Sequence, residues 1–64
     1  MIIKLTNATK EFDGKPFLLN TDVIISVFEG KDTEGRVGIF IFGQNEKTWQ
    51  IKETVEQVYE LVSK

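Results

Sequence analysis

The side chains that invite a chemical reading in this chain are carboxylates. Asp13, Asp22, Glu29, Asp32 and Glu34 lie within one stretch of it. Clustered acidic oxygens suggest a calcium loop, but Lys31-Asp32-Thr33-Glu34-Gly35 lacks the spaced oxygen ligands of an EF-hand and reads as a solvated loop. Glu11 and Glu53 have the residue type for an acid–base pair, but no spacing in the sequence links them. Histidine and cysteine are both absent. The commonest general base, thiolate nucleophiles and thiolate zinc sites are therefore missing, and Ser26 and Ser63 have no imidazole to activate them. The expectation is a chain that is not an enzyme and has no catalytic, cofactor-binding or metal-binding residues.

The second set with a chemical use is aromatic. Phe40 and Phe42 alternate with Ile39 and Ile41, which places both rings on the opposite side of one strand from the isoleucines. Rings on a sheet surface can stack on single-stranded bases, but that mode also needs a basic groove. Only Lys4, Arg36 and Lys52 are candidates for one, and the formal net charge is −2. Nucleic acid is thus the least favoured of three partners. Protein contact through the rings, or cover by Ile2, Leu18 or Phe28, fits better. Trp49 has the residue type of a binding hot spot, but it shares a face with Ile51 and is read as a core anchor under the helix.

These residues must be held by a small scaffold. Sixty-four residues make a single domain, 1–64. A domain of this size buries only about 60% of its unfolded surface, and no disulfide helps it. Binding of any native-state partner, including a second copy, would add stability by mass action.

Ile2–Thr6 alternates as a strand with Ile3 and Leu5 on one face. Asp13-Gly14 marks a turn, Pro16 a strand start or edge, and Phe17–Asn20 the return strand. Asn20-Thr21-Asp22 breaks the apolar run, and Asn20 and Asp22 are read as corner residues bonding local backbone rather than as a recognition edge. Val23–Phe28 is a strand that begins with a tight turn or bulge, and Gly30–Gly35 is an exposed loop. Arg36–Gly43 is the clearest strand, apolar on both faces, with Val37, Ile39 and Ile41 on one side. Thr48–Lys52 follows a polar turn at Gln44–Lys47. The period then lengthens to that of a helix. Thr54 and Gln57 have the spacing of a capping box, and Val55, Val58, Tyr59 and Val62 form an apolar stripe flanked by Leu61. The fold class is α+β: an antiparallel sheet of four to five strands with one C-terminal helix packed on one face.

Four segments of this layout carry a family resemblance. They are Met1-Ile2-Ile3-Lys4-Leu5-Thr6, then Asp13-Gly14-Lys15, then Leu19-Asn20-Thr21-Asp22-Val23-Ile24, then Ile51-Lys52-Glu53-Thr54-Val55-Glu56-Gln57-Val58. In that order they resemble the small FlbD (SwrD) flagellar proteins and similar short phage-encoded proteins. The first hairpin and the Gly30–Gly35 loop are longer here, and Thr54 stands where serine is usual. The resemblance implies a bacterial or phage origin and no catalytic residues.

No apolar run reaches bilayer-spanning length, and Met1–Thr6 enters a strand pattern at once rather than a signal peptide, so a cytoplasmic setting away from membranes is expected. The leading functional expectation is a non-catalytic protein-interaction module binding a host or virion protein. The alternatives are a self-associating structural protein and a single-stranded nucleic-acid binder. The candidate interface is Ile2, Leu18, Phe28, Phe40 and Phe42.

Overall fold

A computed structural model describes all 64 residues. β1 (Ile2–Thr6) and β2 (Pro16–Asn20) form an antiparallel hairpin, and Thr21–Val23 turns the corner as one 3-10 turn. β3 (Ile24–Lys31), β4 (Val37–Gly43) and β5 (Thr48–Ile51) form an antiparallel meander, and α1 (Val55–Val62) closes the chain. The class is α+β, as the alternating periods predict. The single sheet of four to five strands is corrected to two sheets, of two and three strands. They touch along one seam, where the Lys52 N–H donates to the Thr6 carbonyl at 3.0 Å and the Ala8 N–H to the Gln50 carbonyl at 3.0 Å. The Glu53 carboxylate locks this seam by accepting from the Thr6 N–H and the Thr6 hydroxyl, each at 2.9 Å.

The sheets pack face to face through Ile3, Leu5 and Leu19 on one side and Ile41 and Ile51 on the other, with Val58 of α1 completing the buried cluster. The inner face of the meander is therefore covered mainly by the first hairpin. An eight-residue helix is only about 12 Å long, too short to roof three strands alone. It packs beside β3, and Val58 and Leu61 turn inward. The expected stripe is thus rotated: Tyr59 is 66% exposed, and Val55 and Val62 are also open to solvent. No helix is long and apolar enough to cross a membrane.

Several local expectations hold. The capping box is present, with the Gln57 N–H on the Thr54 hydroxyl at 3.1 Å and the Thr54 N–H on the Gln57 side-chain carbonyl at 2.9 Å. Asn20 caps the corner by accepting from the Asp22 N–H at 3.0 Å. A register shift between Ile24 and Ser26 is the bulge expected at the start of β3. Others are corrected. Gly30 and Lys31 belong to β3, opposite Gly38 and Val37, so the loop shrinks to Asp32–Arg36. Val37 lies past the end of the core and is exposed. Trp49 is half-buried against Gly43 and beside Phe17 rather than under the helix.

Candidate interaction surface

Strand alternation sends Ser26, Phe28 and Gly30 of β3, Gly38, Phe40 and Phe42 of β4, and Thr48 and Gln50 of β5 to the outer face of the meander. None of these side chains is charged, although 28% of the chain is. Charge depletion with aromatic enrichment is the compositional mark of the centre of a protein interface.

The rings lie beside the glycines of the two strands. Phe28 and Phe40 are cross-strand partners, stacked with centroids 5.9 Å apart and planes 24° from parallel. A Cβ on Gly30 would stand 3.4 Å from the Phe28 ring and 3.5 Å from the Phe40 ring. At Gly38 it would stand 2.7 Å from the Gln50 amide nitrogen and 3.5 Å from the Phe40 ring. Phe28 remains 44% exposed, and Phe40 and Phe42 are half-buried. No second layer covers them, so the cover expected for a strand apolar on both faces is supplied only by the rings themselves.

The five candidate interface residues do not form one patch. Phe28, Phe40 and Phe42 share the outer face of the meander. Ile2 and Leu18, 58% and 69% exposed, lie on the outer face of the first hairpin, because Ile3, Leu5 and Leu19 point into the core between the sheets. Ile2 and Leu18 therefore do not cover the phenylalanines.

The cations proposed for a basic groove are dispersed. Lys52 pairs with Asp13 at 3.3 Å, Arg36 pairs with Glu34 at 2.9 Å and Asp32 at 3.6 Å, and Lys4 is on β1. The acidic stretch has a structural role that the sequence reading missed. The Asp32 side chain accepts from the Glu34 and Arg36 N–H groups, both at 2.9 Å, and closes the β3–β4 turn. Its carboxyl is held below the ordinary aspartate value, chiefly by the Arg36 N–H bond; partial desolvation opposes this, and the Glu34 N–H and the Arg36 charge reinforce it. The signal was available: Asp at the first position and Gly at the fourth are what a type I turn favours, and Gly35 has φ +81°.

A shallow hollow of about 690 Å³ opens beside the seam, with Phe12, Phe17 and Trp49 along its walls. Glu11 lies on its rim, whereas Glu53 is engaged by Thr6, so the two carboxylates have separate surroundings. No group of three carboxylates converges anywhere. Compared with known proteins, the chain matches no family model, no curated protein and no solved structure.

Proposed function

We propose that this protein is a non-catalytic interaction module whose contact surface is the uncharged outer face of β3, β4 and β5, with Phe28, Phe40 and Phe42 as anchors. The observation that carries this reading is the open, charge-free aromatic face of a chain otherwise rich in charge. Docking a protein there desolvates rings rather than ions, which is the favourable case for an interface core. The partner is a host or virion protein, and the setting is the cytoplasm of a bacterium or a phage-infected cell. The four ordered segments that resemble FlbD-like proteins favour that origin; they lie on β1, the first turn, the β2–β3 corner and the β5–α1 junction.

The test compares capture of partners from bacterial lysate by the parent chain and by Phe28→Ser and Phe40→Ser variants. Captured bands should vanish with the face variants and persist with Leu18→Ser. Equal capture by all of them refutes the face as the contact surface.

Self-association through the same face is the second reading, favoured because an uncharged surface meets its own copy without like-charge repulsion. It requires that Phe40→Ser with Phe42→Ser dissociate the oligomer. Single-stranded nucleic acid is disfavoured by the ion-paired Lys52 and Arg36. A mobility shift that weakens steeply with salt would revive it.

A further inference from the structure

The meander has one unpaired edge, and its backbone polarity can be read from the ladder. The Asp32 N–H donates to the Arg36 carbonyl at 2.8 Å. Antiparallel alternation then points the backbone groups of Phe28 and Gly30 at β4 and those of Val27, Glu29 and Lys31 away from it. The far side of β4 agrees: the Gly43 N–H donates to the Lys47 carbonyl at 2.8 Å, so Ile39 and Ile41 face β5 while Phe40 and Phe42 face β3. The turn, cap and side-chain hydrogen bonds involve no atom of residues 25–31. The outward N–H and C=O groups of Val27, Glu29 and Lys31 are thus a free template for another strand.

Charged side chains on an edge ordinarily deter pairing. Here the two outward charged residues have opposite sign and are separated by one glycine. A two-fold axis at Glu29 sets glutamate against glutamate. An axis at Phe28 sets Glu29 against valine and Lys31 against isoleucine. An axis at Gly30 sets Glu29 against Lys31 of the second copy, and Lys31 against Glu29. The same axis brings Gly30 against Gly30, where the absence of Cβ atoms allows close approach and each Phe28 ring already leans over its glycine. It also keeps the incoming strand clear of α1, which faces Thr21, Ile24 and Val27 across a small hollow.

We propose that β3 pairs antiparallel with β3 of a second copy about a two-fold axis at Gly30, joining two meanders into one six-stranded sheet. The rings of both copies then lie on one face of the joint sheet with the paired glycines between them, and Asp32 of each copy stands opposite Phe28 of the other. This pairing uses the strand edge and stands independently of what docks on the face. The overlap is short, so the dissociation constant falls on the order of 10–1,000 μM.

The test is a dilution series from about 1 mM, followed by sedimentation equilibrium and amide exchange. The mean mass should rise from 7.3 kDa toward twice that value as concentration increases. The Glu29 and Lys31 amides should gain protection in step, while the Val27 amide stays open. Glu29→Pro removes an outward N–H and no bond to β4, as an edge strand tolerates, so the fold should survive and the dimer should be lost. Glu29→Lys should weaken the dimer at least about tenfold, and Glu29→Lys with Lys31→Glu should restore it. A monomer across the whole series overturns the proposal. A dimer insensitive to Glu29→Pro but abolished by Phe40→Ser with Phe42→Ser also overturns it, and assigns association to the face. Protection of Val27 with Glu29 instead of Lys31 overturns the Gly30 axis.

Discussion

Gly43→Ala tests how the seam side of the core is packed. Gly43 is buried at the end of β4 with φ −120° and ψ −178°, an extended conformation that alanine adopts freely. Any cost is therefore steric. The added methyl would stand 2.5 Å from Cζ3 of Trp49, 3.0 Å from its Cη2 and 3.0 Å from the Val23 carbonyl oxygen. The carbonyl belongs to the corner turn and cannot withdraw easily, so the indole must swing into the hollow shared with Phe12 and Phe17. Overpacking of this kind costs about 1–3 kcal/mol. A domain of this length has roughly 3–10 kcal/mol in all, so the midpoint of thermal unfolding should fall by about 8–16 °C for a loss near 2 kcal/mol. Trp49 is the only tryptophan, and its emission should shift to the red as the ring becomes wetter. In a Trp49→Val background the same glycine substitution should cost clearly less, because the clashing ring is gone and only the contact with the Val23 carbonyl remains. An unchanged melting midpoint and unchanged emission in Gly43→Ala would show that the ring does not rest on Gly43.

Glu46 holds a left-handed φ of 61°, and relieving it with Glu46→Gly should raise stability by about 0.5–1 kcal/mol in urea unfolding, after the extra chain entropy of glycine is subtracted. Thr54→Ala removes the hydroxyl half of the capping box and should cost about 1 kcal/mol by the same measurement. Leu18→Ser should change stability by less than about 0.5 kcal/mol, since that side chain already faces water. Asp32 has a folded pKa below its unfolded one, so its carboxylate stabilises the turn above the unfolded value, and this contribution is lost as pH falls through the folded value. The Glu34 and Arg36 amide resonances should therefore titrate together below the ordinary aspartate range, and Asp32→Ala should abolish that transition.

What the sequence made legible was local. The alternation in Ile2–Thr6, the cap formed by Thr54 and Gln57, and the opposition of Phe40 and Phe42 to Ile39 and Ile41 each depend on neighbours a few residues away. Facing could be read from period; the identity of the covering layer could not. The inner face of β4 is covered by β1 and β2 because Thr6 and Glu53 tie the hairpin to the end of β5, a link across 47 residues that no local pattern announces. Gly30 read as a loop residue because glycine usually weakens a strand. It stays in β3 because Gly38 lies opposite and two rings fill the space above both. The helix stripe was recognised, but its rotation depends on how Val58 and Leu61 meet a core built by other elements. Ile2 and Leu18 read as cover for the phenylalanines because the division into two sheets leaves no local pattern in the sequence.

The most direct measurement of the proposed contact face is photo-crosslinking in the producing cell, with a photoreactive phenylalanine analogue at position 28 or at position 18. A discrete protein adduct at position 28, absent at position 18 and competed away by excess parent chain, is the expected result. No adduct at position 28, or equal adducts at both positions, would contradict a contact face built on Phe28, Phe40 and Phe42.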